Sequence, residues 1–148
     1  MDIKDFETDV DGFRQKLGVR RFDVKGATQK LLELVDIWKS VGQEHLGGHI
    51  KFNATPDDSL IDGEVLGKKF QIRYAPIGLE GDGAIEASVI LPDLISQKPF
   101  EISRFLVTPK GKILSMAGLE LTDLDYHSSA YKALVALATR VIEAPSRG

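Results

Sequence analysis

Ile3, Phe6, Val10, Phe13 and Leu17 recur at alternating intervals of three and four residues, the spacing of one helical face. Acidic side chains (Asp2, Asp5, Glu7) crowd the start of this stretch and basic ones (Arg14, Lys16) its end, an order that suits the helix dipole. Gly18 predicts a C-terminal stop, which gives a helix over 2–17. Gly12 within it costs about 1 kcal/mol against alanine. The stripe spans only two heptads, too few to specify a coiled coil. Packing on the chain's own core is the first expectation for Phe6 and Phe13; a stripe that faces a partner is the alternative. Residues 19–26 read as a connector or short strand. A second helical face follows in Leu31, Leu34, Val35, Trp38 and Val41, widened by Leu32 and Ile37. This second helix should stop near Gly42 or at Gly47–Gly48, with Trp38 buried against whatever it covers.

From residue 49 the period changes to two. Candidate strands are HIKFNA (49–54), SLIDGEVL (59–66), KKFQIRYA (68–75), AIEASVIL (84–91), PFEISRFLV (99–107) and KILSMA (112–117). The segments between them are too short for parallel crossovers, so the strands should form an antiparallel meander. The prolines fall in connections, at element ends or in the tail. A last helical face, with Ala130, Leu134, Leu137, Ala138 and Val141, runs from about Asp125 to Ala144 and ends at Pro145. The fold class is therefore α+β: a five- to six-stranded antiparallel meander with two N-terminal helices and one C-terminal helix packed on one face. One domain covers 1–148, with the helix over 2–17 as its separable element.

Composition narrows the function classes. At 148 residues the chain can bury roughly 70% of its unfolded surface, so it needs no metal or disulfide to stay folded. A net charge of -3 argues against a nucleic-acid or anionic-membrane partner. With no cysteine, disulfides, thiolate ligands and cysteine nucleophiles are excluded. No apolar run approaches the ~20 residues of a membrane span, and the acidic N-terminus is unlike a signal peptide, which predicts a cytoplasmic address.

Four stretches invite chemistry. In QEHLGGHI, His45 and His49 are four apart, as in helical zinc sites, but the two glycines between them predict a helix end instead. Further ligands would have to come from His127 and carboxylates. GLEGDGAIE is glycine-rich, yet Glu80 and Asp82 would repel a phosphate, so a hairpin loop is expected. TDLDYHSS sets an acid, a histidine and serines side by side; capping of the last helix, with Thr122 and Asp125 as a capping box, accounts for them better than a catalytic triad. In PFEISRFLV, Arg104 would interrupt the row Phe100, Ile102, Leu106. A bulge or a snorkelling strand end would resolve that; a ligand or partner anchor is the sharper alternative. Lys69, Arg73 and Glu86 read as a solvated cross-strand charge network.

Small, acidic, cysteine-free layouts of helices around an antiparallel sheet resemble secretion chaperones, which hold other proteins, and immunity proteins, which block toxins. PDLISQK is too short for the helix that the chaperones carry within their run of strands. The chain is expected to be a non-catalytic protein-binding module, chaperone-like, inhibitor-like or an adaptor. Its partner would be another protein or a second copy of itself, met by Phe6 and Phe13 if their stripe is not core. Neither a cofactor nor a metal is implied. The alternative is a small-ligand or enzyme domain that uses a cup between sheet and helices, with Arg104, Tyr74 and Trp38 as lining.

Overall fold

A computed structural model describes residues 1–126 and 128–147. A 3-10 turn over Ile3–Glu7 leads into α1 (Val10–His45). Seven strands follow: β1 (Ile50–Thr55), β2 (Leu60–Val65), β3 (Lys68–Leu79), β4 (Asp82–Pro92), β5 (Pro99–Val107), β6 (Lys112–Leu114) and β7 (Glu120–Asp123). Helix α2 (Ser129–Glu143) closes the chain. The strands lie in one sheet in chain order, each antiparallel to the next. The α+β class and the antiparallel meander are as the hydrophobic periodicity implies; the helix and strand counts are not.

The helix expected over 2–17, the connector over 19–26 and the second helix are replaced by one short 3-10 turn and one helix of 36 residues. Gly18 does not end it. A terminating glycine takes a left-handed conformation, and Gly18 is not among the residues with positive φ. The residues after it continue the apolar face instead, through Val24, Ala27 and Leu31. The true end comes at His45, with Gly47 and Gly48 at φ 63° and 73°. Asp9 caps the start: its carboxylate accepts from the Asp11 N–H at 3.1 Å.

The seventh strand, β7, was not expected. KILSMA pairs only over Lys112–Leu114, and residues 115–119 turn tightly, with the Ser115 N–H donating to the Leu119 carbonyl at 2.8 Å. Glu120–Asp123 holds few apolar side chains, so alternation there is too weak to read. The glycine-rich loop GLEGDG is largely strand: β3 and β4 pair as far as Leu79 and Asp82, which leaves Glu80 and Gly81 as the turn.

One face of the sheet is apolar, with Phe52, Ile61, Phe70, Ile72, Ala87, Val89 and Leu91 all buried. Both helices cover it. Leu31, Leu34, Val35 and Trp38 from α1, and Leu134, Leu137 and Val141 from α2, join these strand residues in one cluster. Two glycines let α1 approach the β3–β4 hairpin: Arg20 lies across Gly78, and a Cβ on Gly83 would sit 2.6 Å from the Arg20 carbonyl oxygen. The Gly83 N–H in turn donates to the Asp23 carboxylate at 3.0 Å. Among the described residues, no helix is long and apolar enough to cross a membrane.

Candidate functional site

Helix α1 meets the body at Arg20 and Asp23. Every residue from Met1 to Val19 is exposed except Gly12, whose neighbour is Asp9 on its own first turn. The first ten residues of α1 and the 3-10 turn therefore form an arm, the helical part on the order of 15 Å long. The stripe read from the sequence lies along it uncovered, with Phe6 at 76% and Phe13 at 51% exposure. Packing of Phe6 and Phe13 on the chain's own core is thus overturned. The physical reason is the continuity of α1: no turn at Gly18 folds the stripe back onto the sheet, and the unbroken helix carries it beyond the β3–β4 hairpin that Arg20 meets.

Of the three residues expected to line one cup, Trp38 and Arg104 both line the cavity between α2 and β5–β7, and Tyr74 does not. Trp38 is 1% exposed, stacks at a tilt on Phe52 with centroids 5.3 Å apart, and donates its indole N–H to the Ala130 carbonyl at 2.8 Å. Tyr74 points into the core among residues of β3 and β4. Its hydroxyl is buried without a hydrogen-bond partner, and desolvation raises its pKa.

Arg104 is exposed, on the face of the sheet away from the helices. A bulge in β5 accounts for this placement. Val89 pairs with Ser103 but Ile90 pairs with Glu101, so Ile102 is the extra residue. The bulge swings Glu101 to the same face as Arg104, which simple alternation would forbid. The guanidinium then donates to Glu101 at 2.8 and 2.5 Å and lies 3.6 Å from Glu86. The Ser88 hydroxyl also donates to Glu101. That hydrogen bond, then those from Arg104, hold the Glu101 carboxyl below its usual range. Arg104 is therefore committed within its own strand pair.

Two concavities stand out. One, about 580 Å³, lies over the outer face of β1–β3, lined by Lys51, Asn53, Asp62, Glu64, Lys69 and Gln71. Its polar groups largely satisfy each other: Lys51 faces Glu64 at 4.0 Å and the Gln71 amide donates to Asp62 at 3.0 Å. Lys69 sits opposite Glu64 in register, as a solvated charge network requires. The second, about 330 Å³, lies between α2 and β5–β7. Trp38, Val89, Phe105, Ile113 and Leu137 give it apolar walls, with Lys132 and Arg140 also lining it. The sequence did carry a signal for it: Lys132, Ala136 and Arg140 are spaced by four, so two cations flank a small residue on one line of α2.

Of the remaining stretches, His45 ends α1 and His49 donates its backbone N–H to the Leu46 carbonyl, with the helix broken between them. Among the described residues, no group of three or more metal-ligating side chains is brought together. His127 lies outside the described residues. The capping box expected from Thr122 and Asp125 does not form: Thr122 belongs to β7, Asp123 accepts from the Asp125 N–H at 3.0 Å, and the N-cap of α2, Ser128, makes no side-chain capping hydrogen bond. Comparison of the chain with protein families, with curated proteins and with solved structures finds no match.

Proposed function

We propose that the chain is a non-catalytic protein-binding module, an adaptor that pairs through its projecting arm with a second copy of itself. The carrying observation is the exposed row Ile3, Phe6, Val10, Phe13 and Leu17 on an arm that, among the described residues, makes no ion pair with its own body. Helical stability comes mostly from packing of an apolar face, which this end of α1 lacks, so the arm gains order by docking. Five large apolar side chains, each more than half exposed, are on offer along one stripe.

Charge order supports the choice of occupant. Asp2, Asp5, Glu7, Asp9 and Asp11, against Lys4 alone, make the outer half of the arm acidic; Arg14 and Lys16 make the inner half basic. Two arms laid antiparallel set acid on base twice over, the self-complementary pattern of a two-fold interface. A parallel pair would set like charge on like.

Light scattering on the full chain, with equilibrium sedimentation, tests this. The expected result is a dimer at micromolar concentration that weakens with salt. Phe6→Ser with Phe13→Ser should give a folded monomer of unchanged melting temperature. Arg14→Glu with Lys16→Glu should weaken pairing, and adding Asp5→Lys and Asp9→Lys should restore it. A parent chain still monomeric at ~100 µM, far above a micromolar Kd, would overturn the pairing.

A further inference from the structure

The cavity beneath α2 is a different feature from the arm, and nothing in the pairing of arms uses it. Its walls are apolar and deep: Trp38, Val89, Phe105, Ile113 and Leu137. On the helix side, Ala133 and Ala136 leave unfilled the space that larger residues would occupy. The volume, about 330 Å³, falls at the lower end of the range of small-molecule sites.

Its charge is one-sided. Lys132 and Arg140 put their charges at its border and no carboxylate lines it among the described residues; Arg104 also lines it, but with its guanidinium turned to the other face of the sheet. Arg104 is held by Glu101 and Glu86. Lys132 and Arg140 have no carboxylate within ion-pair distance among the described residues. Both are exposed and lie two turns apart on the line of α2 that carries Ala136, so their charges stand at the mouth. Ser103 and Thr122 add two hydroxyls to the wall. Apolar depth with a cationic, hydroxyl-bearing rim matches one ligand chemistry: a hydrocarbon tail ending in an anionic head.

We infer that the cavity between α2 and β5–β7 binds a small amphiphilic anion, a medium-chain carboxylate, with its tail against Trp38 and Phe105 and its head between Lys132 and Arg140. The arm ends before Arg20, and the cavity takes only Trp38 from α1, more than four turns further on, so either can exist without the other.

The chain's single tryptophan sits in the wall, so its emission reports occupancy directly. Decanoate, kept below its micelle concentration, is titrated into the full chain while Trp38 fluorescence is followed. A saturable change is expected, with decanol binding about tenfold or more weakly because it lacks the charge. Lys132→Ala with Arg140→Ala should bring decanoate down to the level of decanol and leave decanol unchanged. Ala136→Phe places a ring over the cavity from an exposed helix position; it should abolish the response to both while circular dichroism and melting temperature are kept. Absence of a saturable response in the parent chain overturns the inference. So does equal binding of decanol and decanoate, or decanoate binding that survives Ala136→Phe.

Discussion

Phe52 on β1 and Phe70 on β3 meet edge to face although β2 runs between them, their ring centroids 5.9 Å apart and their planes 85° apart. Gly63 makes this contact: it pairs with Phe52 on one side and Phe70 on the other, and offers no side chain to hold the rings apart. Trp38 continues the stack from α1. A methyl group on Gly63 would lie 2.1 Å from Cζ of Phe70, so the ring must leave its place. Gly63→Ala is expected to cost about 1–3 kcal/mol through overpacking. Urea denaturation measures it, and an unchanged midpoint would mean that the stack tolerates the methyl.

Gly18 should behave oppositely. It lies within α1, exposed, and a Cβ built on it meets nothing within 4 Å. Replacing a mid-helix glycine by alanine removes unfolded-state freedom and improves helix propensity, for a gain of about 0.5–1 kcal/mol. Gly18→Ala should therefore raise helicity by circular dichroism and leave the melting temperature level or higher. A clear loss of either would show that α1 breaks at Gly18 after all.

These two glycines mark what the sequence discloses. Period-two alternation located β1 to β5 closely because each has one buried face, and that face is what alternation records. Helix ends were less legible. Gly18 and Gly47 look alike in sequence, and only the continuation of the apolar face through Val24 and Ala27 separates a glycine inside a helix from one that stops it. The Ile102 bulge was foreseen only as one way to explain Arg104, since alternation cannot say where it slips. Of cavity walls drawn from α1, β4, β5, β6, β7 and α2, only Trp38 and Arg104 were named from the sequence, because spacing along a chain does not say which elements become neighbours. The exposure of Phe6 and Phe13 was illegible for the same reason: a stripe shows that a helix has an apolar face, not that anything lies on it.

Asp93 organises the connection between β4 and β5. Its carboxylate accepts from the backbone N–H groups of Ser96 at 2.7 Å and Ile95 at 2.8 Å, and these bonds, Ser96 first, hold its pKa below the ordinary aspartate value. A carboxyl depressed in the folded state stabilises fully above its unfolded pKa of ~3.9, and the contribution fades as pH falls toward the folded value. Asp93→Asn keeps an acceptor oxygen without the charge. The parent should therefore melt higher than Asp93→Asn at neutral pH, and the gap should close as pH drops from about 5 to below 3. Glu101 is depressed as well, but it is common to both proteins, so the difference between the two curves isolates Asp93. Parallel curves would rule out a stabilising charge at this position.

Tyr74 is 7% exposed, and its hydroxyl is buried with no hydrogen-bond partner. The ring fills its site among the residues of β3 and β4; only the oxygen is out of place. Burying a hydroxyl without a partner costs about 1–3 kcal/mol, and removing it while keeping the shape removes that cost. Tyr74→Phe is thus expected to be as stable as the parent or more so, by up to about 1–3 kcal/mol in urea unfolding. Loss of a real hydrogen bond works in the opposite direction, since a partner left behind in the core would itself be orphaned. A destabilisation of 1 kcal/mol or more on Tyr74→Phe would therefore mean that the hydroxyl is bonded in solution, to ordered water or to a core group that shifts to meet it.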